Sequence, residues 1–262
     1  MKTLIVGMGE IGRGLYEATE SFHIIDTYDT KDGGTLPKIK DNIDVMNICI
    51  NGNLPNFVDI VEEYVYRVLP KCVIIHSTVP IGTTRKIMER TDISCVHSPV
   101  RGVHPNMKES IQTYIKYVGY NDLAGRDLAV RYYHEANIPF KVLYKSETTE
   151  LAKMLSTTRY GLNLMFARLT LKLCENLNLN AREVYQEWEI SYNGGLEQLG
   201  MDKYKRPILS FPGEKIGGHC VVENAFMLLE QLYPNFKEDA VLANVLSAIV
   251  QIGKGDRELE GF

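Results

Sequence analysis

The sequence predicts an α/β fold whose first half is a doubly wound sheet and whose second half is all helical. Short apolar runs alternate with amphipathic stretches over residues 1–145, a glycine-rich turn follows the first apolar run, and helical spacing dominates residues 146–262. Strands that alternate with helices form parallel βαβ units, and their carboxyl ends share the edge where ligands bind. We therefore expect a first domain over residues 1–145 and a second over residues 146–262, with the boundary near Ser146.

The apolar runs of the first half predict a series of strands. They are Lys2–Val6, Phe22–Tyr28, Asp44–Ile50, Cys72–His76, Ser94–His97, Ile115–Gly119 and Lys141–Tyr144. Amphipathic stretches between them predict the helices Ile11–Thr19, Asn56–Leu69 and Leu123–Ala136. Right-handed crossovers then bring the carboxyl ends of the strands to one edge of the sheet.

The second half opens with one long helical pattern, Ser146–Leu177, which contains no proline and a single glycine, Gly161. Its apolar residues recur near helical spacing, and a helix of this length bridges two domains or runs through a dimer core. Further helices are predicted over Asn180–Ser191, Val222–Tyr233 and Glu238–Gln251, whereas Asn193–Pro212 is rich in turn-forming residues.

The composition excludes several classes of function. The chain of 262 residues is 45% apolar and 24% charged, and its formal net charge of −4 argues against a general nucleic-acid or membrane-surface binder. No apolar run is long enough to span a bilayer. Five scattered cysteines without a CxxC pair, and an N-terminus that enters a strand directly, favour a reducing, cytoplasmic location.

The turn Gly7-Met8-Gly9-Glu10-Ile11-Gly12 follows the first predicted strand and opens the first predicted helix, which is the context that a dinucleotide-binding motif requires. The first glycine permits the tight turn, the second admits a pyrophosphate close to the backbone, and the third allows close helix–strand packing. The N–H groups of the helix N-terminus bind the anion. The pattern predicts a Rossmann domain that binds a dinucleotide through this turn.

An acidic residue at the end of the second strand binds the ribose hydroxyls in such domains. Asp29 falls at the exit of Phe22–Tyr28 and is preferred to Asp26, which lies within the strand pattern. A carboxylate at this place selects against a 2′-phosphate. The predicted cofactor is therefore NAD rather than NADP, although Lys31 lies nearby.

Three further segments resemble motifs of the UDP-glucose/GDP-mannose dehydrogenase family, and they occur in the family's order. The segments are Ser77-Thr78-Val79-Pro80-Ile81-Gly82-Thr83-Thr84, Ser98-Pro99-Val100-Arg101-Gly102 and Pro212-Gly213-Glu214-Lys215-Ile216-Gly217-Gly218-His219-Cys220. They correspond to S-T-V-P-x-G-T-T, S-P-E-x and P-G-x-G-x-G-G-H-C in that family, with Lys215 where a glycine is common. The likeness covers nearly the whole chain.

The resemblance implies an enzyme that oxidises a sugar alcohol twice, through the aldehyde to the acid, and reduces two NAD. Cys220 matches the family's nucleophile, and Lys153 matches a lysine that stabilises developing oxyanion charge. Thr78 matches a threonine that holds a catalytic water. The cofactor is also expected to contact Ser77 and Thr78, and the substrate Gly217, Gly218 and His219.

Each of these residues also has an ordinary structural interpretation. Most cysteines are buried and inert, and a lysine among apolar residues often extends its ammonium to water. On this view, Cys220 is a packed thiol, Lys153 is a surface lysine, Thr78 is a turn residue and His219 is a packing neighbour. His97 and His104 lack metal-ligand spacing, so no metal site is predicted.

The chain departs from the family pattern at three functional positions. Val100 stands where the family carries a glutamate that acts as a base or water activator. Thr157 stands one turn after Lys153 where the family carries asparagine, and Asn224 stands one turn after Cys220 where it carries aspartate. Asparagine removes the charge and the proton-accepting role of aspartate. Thr157 and Asn224 are still predicted members of the catalytic site.

Arg101 and His104 lie near Val100 and are candidate ligands for an anionic substrate, because a guanidinium binds carboxylate or phosphate in a bidentate way. Arg101 is alternatively a salt-bridged loop residue. Family members usually add a second α/β domain that binds the nucleotide of the substrate, and the sequence ends at Phe262 before such a domain. We expect a short member in which another chain supplies that half, the substrate is not a nucleotide sugar, or catalysis has been lost.

The sequence therefore predicts an NAD-dependent oxidoreductase acting on CH–OH groups, with its active site in the groove between the two domains. The expected substrate is a sugar or nucleotide sugar, oxidised toward the acid through a Cys220 thioester. A single-step hydroxyacid-type dehydrogenase and a non-catalytic NAD-binding sensor or regulatory subunit are the alternatives. A homodimer through the long helix is expected by analogy with the family.

Overall fold

The computed structural model of the chain describes residues 1–31, 36, 42–102, 105–211, 219–232 and 240–254. In the last two helices it describes the side chains of residues 221–231 and 243–251. The chain divides into two compact units, residues 1–153 and residues 154–262. The domain boundary near Ser146 stays a prediction, because this division falls inside the helix that begins there.

The described part of the first unit contains a seven-stranded sheet. Its strands are β1 (Lys2–Val6), β2 (Ile24–Tyr28), β3 (Val45–Ile48), β4 (Cys72–Ile75), β5 (Ser94–His97), β6 (Lys116–Tyr120) and β7 (Phe140–Tyr144). Their spatial order is β2-β1-β3-β4-β5-β6-β7, and β1 pairs in parallel with both β2 and β3. The order reverses at β1, which opens a crevice at the carboxyl ends of β1 and β3. The predicted doubly wound α/β class, followed by a helical second part, is confirmed.

One strand contradicts the expectation of uniformly parallel pairing. β6 pairs antiparallel with β5, through Val96 with Tyr120 and His97 with Gly119. The connection between them contains a short helix, α4 (Met107–Thr113), whose length of about 10 Å does not carry the chain back along the sheet. β6 therefore begins at the edge where β5 ends. Its first residue, Lys116, lies at the carboxyl edge of the parallel strands.

Four longer helices accompany α4 in the described part of the first unit, before the long helix. They are α1 (Glu10–Thr19), α2 (Phe57–Val68), α3 (Thr83–Thr91) and α5 (Leu123–Glu135). The sequence analysis missed α3 and α4. α3 contains three threonines and few apolar residues, and α4 spans 7 residues, fewer than the window of about 11–18 over which helical periodicity is recognised.

Each face of the sheet has its own apolar core. Met46 packs with Phe57 and Ile87 on the face covered by α2 and α3. Val45, its neighbour on β3, packs on the opposite face with residues of α1, α4 and α5, including Tyr132. β3 and β4 are buried along their whole length, as expected for parallel strands covered by helices on both faces.

The second unit is helical in its described part. The long helix α6 (Ser146–Leu177) has the predicted bounds, and it is followed by a π-helical turn (Arg182–Glu187), α7 (Trp188–Gln198), a 3₁₀ turn (Asp202–Tyr204), α8 (His219–Leu232) and α9 (Ala240–Lys254). Gly161 lets α6 approach α8 and α9 closely, because a Cβ there would lie 2.7 Å from a methyl carbon of Val221 and 3.1 Å from one of Ile249.

The region expected to be rich in turns, Asn193–Pro212, is helical as far as Gln198. The helix continues through Gly194 and Gly195, where an added Cβ would meet open space, so no packing demand accounts for these two glycines. Within the described residues, no helix combines the length and apolar character needed to cross a bilayer.

The first turns of α6 are fixed to the first unit by a buried carboxylate. Glu150 Oε1 accepts hydrogen bonds from the N–H of Thr84 at 2.9 Å and from its hydroxyl at 2.6 Å, and Oε2 accepts from the N–H of Gly82 at 2.7 Å. These donors form the N-terminus of α3, so Glu150 caps that helix from a different element. Burial raises the pKa of Glu150, and the three hydrogen bonds oppose this effect.

Removing this carboxylate is expected to destabilise the first unit. Glu150→Ala leaves the Gly82 and Thr84 donors without their acceptor, which should lower the free energy of unfolding by about 2–4 kcal/mol. Urea unfolding followed by circular dichroism measures this loss. Glu147→Gln is the matched control, because Glu147 pairs with Arg85 nearer the surface and its loss should cost under about 1 kcal/mol. Equal losses in the two variants would contradict the capping role.

Candidate functional site

The crevice at the carboxyl ends of β1, β2 and β3 is the candidate ligand site of the first unit. It has a volume of about 390 Å³ and lies where the strand order reverses, which is the usual ligand position in open α/β sheets. Its lining includes Gly7, Gly9, Tyr28, Asp29, Ile50, Asn51, Leu54 and Tyr64. The crevice thus brings together Gly7 and Gly9 of the predicted glycine turn and the predicted acid, Asp29.

The three glycines of the turn differ in what an added Cβ would meet. Gly7 has a φ of +93°, and a Cβ there would lie 2.9 Å from the backbone carbonyl of Cys49 on the neighbouring strand exit. A Cβ on Gly12 would lie 1.8 Å from the Gly7 oxygen. Gly9, at the N-terminus of α1, would meet nothing within 4 Å. Gly7 and Gly12 therefore serve the fold, whereas Gly9 leaves a space that the protein itself does not fill.

Asp29 directly follows β2, at the strand exit where the sequence placed it. Its Oδ2 accepts a hydrogen bond from the N–H of Met8 at 2.7 Å, and its Oδ1 accepts from the N–H of Lys31 at 2.9 Å. These backbone donors, with that of Lys31 first, lower the pKa of the Asp29 carboxyl, which is ionised at neutral pH. Asp26 lies within β2 and pairs with Lys2 at 3.5 Å, away from this turn.

Ser77 and Thr78 lie at the exit of β4, next to the segment that follows β3. The Ser77 hydroxyl donates to the carbonyl of Ile50 at 2.5 Å. Gly52 approaches the Thr78 backbone so closely that a Cβ at Gly52 would lie 1.9 Å from the Thr78 oxygen. The second predicted cofactor segment is therefore joined to a residue that lines the crevice.

Val100 and Lys153 are brought together in the first unit. The Lys153 ammonium donates to the backbone carbonyl of Val100 at 2.9 Å, while the Val100 side chain is buried in the apolar core beneath α1 and α4. The valine that replaces the family's glutamate thus still contacts the predicted catalytic lysine, through its carbonyl group. Arg101 lies over the rings of Tyr114 and Tyr117, with its guanidinium carbon 5.9 Å and 5.5 Å from their centroids.

Thr157 and Asn224, the two other departures from the family pattern, form a pair in the second unit. The Asn224 amide nitrogen donates to the Thr157 hydroxyl oxygen at 2.7 Å, and that hydroxyl donates to the carbonyl of Met154 at 3.0 Å. Asn224 is buried. Because this pair links α6 to α8, it stabilises the packing of these two helices in addition to its predicted catalytic role.

The predicted nucleophile is described only through its backbone. Cys220 is the second residue of α8, and the side chains of His219 and Cys220 lie outside the described residues. His104 and the loop Pro212–Gly218, which includes the predicted substrate ligands Gly217 and Gly218, also lie outside them. The roles of these residues, and the groove between the domains, remain predictions.

The sequence analysis missed several residues that line the crevice. Ile50, Asn51 and Leu54 follow β3, and their position after a strand adjacent to the glycine turn was a usable signal. Tyr64 reaches the crevice from α2, where its ring packs edge-to-face on Tyr28 with centroids 5.7 Å apart. No local sequence pattern reveals such a contact, because it depends on how the helix packs against the sheet.

A sheet that reverses at β1, a glycine turn packed against the β3 exit and a carboxylate at the β2 exit define the Rossmann class of dinucleotide-binding folds. No protein-family model matches the chain. In sequence, the chain is similar to UDP-N-acetyl-D-mannosamine dehydrogenases. The protein from Pyrococcus horikoshii is 25% identical over 187 residues, which cover 68% of this chain and 41% of that protein. The protein from Methanocaldococcus jannaschii is 24% identical over 164 residues, which cover 61% and 35%.

Solved structures share the fold. The UDP-D-ManNAc dehydrogenase of Pyrococcus horikoshii superposes with a TM-score of 0.72 at 18% identity, covering 95% of this chain and 69% of that one. The 3-hydroxyisobutyrate dehydrogenase of Mycobacterium tuberculosis gives a TM-score of 0.66 at 13% identity, covering 94% and 91%. The resemblance to nucleotide-sugar dehydrogenases is thereby confirmed, and the chain spans less than half the length of the curated relatives it matches.

The glycine turn yields a prediction that separates binding from folding. Gly9→Ala should change the free energy of unfolding by less than about 1 kcal/mol. It should weaken binding of the predicted cofactor, NAD, at least tenfold, equivalent to about 1.4 kcal/mol, because its methyl group enters the open space at the helix N-terminus. Gly12→Ala should destabilise the protein by about 3 kcal/mol, because its Cβ overlaps the Gly7 oxygen. Calorimetric NAD titration and thermal unfolding measure both effects. Unchanged NAD affinity in Gly9→Ala would contradict the assigned site.

Proposed function

We propose that the protein is an NAD-dependent dehydrogenase that oxidises an alcohol group of a sugar-type substrate. The observation that carries the proposal is the crevice at the switch point, where Gly7, Gly9 and Gly12 meet three separate requirements of a dinucleotide site and Asp29 supplies a carboxylate. The dehydrogenase names of the relatives support the reaction class.

The residues of the crevice fit NAD. Gly9 leaves space at the N-terminus of α1, where Glu10, Ile11 and Gly12 form the first turn and N–H groups favour a pyrophosphate. Asp29, which also anchors the Met8 N–H, would accept hydrogen bonds from ribose hydroxyls. Bound NAD would supply the hydride acceptor. Ser77 and Thr78 follow the neighbouring strand and would contact the remainder of the cofactor.

The substrate chemistry is assigned to Lys153, Thr78 and Cys220. Lys153 carries an ammonium at the edge of the first unit, held by the Val100 carbonyl, and would stabilise the oxygen of an alkoxide or tetrahedral intermediate. The alcohol would first lose its hydroxyl proton to solvent and a hydride to NAD, giving the aldehyde. The Cys220 thiolate would add to the aldehyde carbon, giving a thiohemiacetal anion. Loss of a second hydride to NAD would give a thioester, and water held near Thr78 would cleave it to release the acid and restore the thiol.

A single-step dehydrogenase of the hydroxyacid type is the second candidate. It is supported by the likeness in fold to the 3-hydroxyisobutyrate dehydrogenase of Mycobacterium tuberculosis, with a TM-score of 0.66. In this reaction the alcohol is oxidised once, Lys153 acts on its oxygen and no thioester forms. Cys220 would then be dispensable.

A non-catalytic NAD-binding protein is the third candidate. Two observations favour it: the Val100 side chain is buried in the core, and Asn224 is engaged with Thr157. Both positions carry an acidic residue in the family, and here the residues at these positions have structural partners within the protein. Binding of NAD without turnover of any alcohol would distinguish this candidate from the two dehydrogenases.

The state of Cys220 distinguishes these candidates. Near neutral pH, iodoacetamide should label Cys220 at least about tenfold faster than the other cysteines, because a helix N-terminus favours the thiolate. The comparison cysteines are buried or poorly ionised: burial raises the pKa of Cys49 to about 12 and raises those of Cys72 and Cys95, and Cys174 is buried. Mass spectrometry of the labelled peptides gives the rates, with and without NAD.

Turnover is tested with UDP- and GDP-sugars, free sugars and hydroxy acids, followed by NADH absorbance. The thioester mechanism predicts two NADH per acid formed, and loss of acid formation in Cys220→Ser with retention in the matched control Cys174→Ser. NADH formation that survives Cys220→Ser unchanged selects the single-step dehydrogenase. NAD binding with no NADH from any substrate selects the non-catalytic candidate.

A homodimer through α6 is part of the proposal. Phe166, Leu169, Leu173 and Leu177 follow one another at helical spacing and are more than half exposed. Together with Val184 and other residues they line an apolar groove of about 360 Å³ between α6 and the following helical turn. Contiguous exposed apolar residues of this kind often mark association surfaces.

Charge on this stripe should dissociate the dimer. Leu173→Glu is expected to convert a dimer of about 59 kDa, twice the 29.7 kDa chain, into a monomer, because it places a carboxylate in the buried interface. Sedimentation velocity over a range of protein concentrations measures the change. Leu123→Glu is the control, since Leu123, like Leu173, is more than half exposed but begins α5 in the first unit. A monomeric wild-type protein would contradict the proposed dimer.

A further inference from the structure

Lys116 is a buried cation that the proposed reaction does not use. It is the first residue of β6 and is 2% exposed. Its ammonium donates to the backbone carbonyl of Ser98 at 2.5 Å, lies 3.3 Å from Nδ1 of His76, and is 5.9 Å from the ring centroid of Tyr133. Burying an ammonium among uncharged partners is costly, so its presence calls for a local reason.

The partners of Lys116 fix the protonation of His76. His76 Nε2 faces the side-chain oxygen of Asn47, which only accepts, so the ring proton is on Nε2 and Nδ1 accepts from the Lys116 amino group. That N–H donates to Oδ1 of Asn47 on β3 at 3.0 Å. Burial lowers the pKa of His76 well below its usual value, which agrees with a neutral ring. Lys116 is thus the end of a chain of hydrogen bonds that crosses from β6 to β3.

A second neutral histidine connects the β4 exit to α6. His97 Nε2 faces the carbonyl oxygen of Ser77 at 3.1 Å and therefore carries the proton. His97 Nδ1 then accepts from the hydroxyl of Thr149 on α6 at 2.8 Å. Burial lowers the pKa of His97 to about 3, so the ring stays neutral over the working pH range. The histidine holds Ser77 at a fixed position relative to the start of α6.

These contacts converge on two short segments. Residues 76–78 carry Ser77 and Thr78, and residues 98–100 carry the carbonyl of Val100 that holds Lys153. The N–H of Val100 donates to His76 O at 3.3 Å and joins the two segments, and the N–H of Ser98 donates at 2.8 Å to the oxygen of Ile75 at the end of β4. Lys116 contacts one residue of each segment, at the point beyond the strand ends where regular pairing stops.

We propose that Lys116 is a positioning residue of the dehydrogenase site: its ammonium ties the Ser98 carbonyl to the His76 ring, and thereby fixes the two strand exits that carry Ser77 and the Val100 carbonyl. The proposal rests on the dehydrogenase function proposed above. Lys116 touches neither a substrate nor the crevice. It acts through the segment that orients Lys153, and a displacement of a catalytic group by about 1 Å can cost about a hundredfold in rate.

The charge of Lys116 gives the proposal a second readout. The described titratable groups around it are neutral or cationic, namely Cys49, His76, His97, Tyr133 and Lys153. Burial is the main cause that lowers the pKa of Lys116 to about 7 from the ordinary 10.5. Between these values the unfolded chain binds the extra proton and the folded chain does not. The contribution of Lys116 to the free energy of unfolding therefore rises with pH across this window.

Lys116→Met tests the proposal, with Lys141→Met as the matched control because Lys141 is an exposed lysine on the adjacent strand β7. In Lys116→Met we expect kcat to fall about ten- to a hundredfold, while KM and the NAD affinity change less than about threefold, since the crevice is untouched. Lys116→Arg should recover part of kcat, because it keeps a donor to Ser98. Relative to Lys116→Met, the wild type and Lys141→Met should gain stability in urea unfolding between about pH 7 and 10.5, because the other titrating groups are common to all three proteins.

Nitrogen-15 NMR of the histidines makes the test independent of turnover. Lys116→Met should shift the His76 Nδ1 resonance, since that nitrogen loses its donor, and should shift the Val100 amide, whereas Lys141→Met should change neither. If the wild-type protein oxidises no substrate, the proposed function is refuted. The NMR shifts alone then decide whether Lys116 positions residues 76–78 and 98–100. Unchanged His76 and Val100 resonances, or a kcat in Lys116→Met equal to that of Lys141→Met, would overturn the proposal.

Discussion

Successive contacts hold the first two turns of α6 against the carboxyl edge of the sheet. Thr149 bonds His97, Glu150 caps α3, and Lys153 donates to the Val100 carbonyl. Each contact comes from a different position on the helix and reaches a different strand exit or loop. Lys153 therefore lies on the same helix that Glu150 fixes. Its ammonium is held at a set position at the edge of the sheet and does not move as a free side chain would.

Burying a carboxylate to fix α6 to α3 costs free energy, and this cost explains why the contact between the two helices is specific. Burial favours the neutral form of Glu150, but only the ionised form accepts from Gly82 and from both groups of Thr84. The positive end of α3 further favours the charge. Because an unmatched carboxylate here would be strongly unfavourable, the contact permits essentially one register of α6 relative to α3.

The sheet and the glycine turn could be predicted from the sequence, because both depend on local rules. The bounds of β1 and α6 agree with the apolar patterns, and Asp29 follows from counting to the end of β2. The antiparallel direction of β6 was not predictable in this way. It depends on the short connection through α4, whose few apolar residues are used to pack against α1 rather than to form a recognisable period. Lys116 was missed because its partners are distant in sequence: His76 and Ser98 follow two other strands, and Tyr133 belongs to α5.

The departures from the family pattern change the electrostatics of the candidate site more than its framework. With valine at position 100, the segment from Ser98 to Gly102 contributes no carboxylate, and its one charged residue is Arg101. The Lys153 ammonium donates to the neutral Val100 carbonyl of this segment. In the proposed dehydrogenase, a carboxylate or phosphate on the substrate would be attracted by the Lys153 ammonium and the Arg101 guanidinium, whereas a neutral sugar would not. Valine at position 100 thus removes a water-activating base from this segment and, by leaving Arg101 as its one charged residue, favours an anionic form of the proposed substrate.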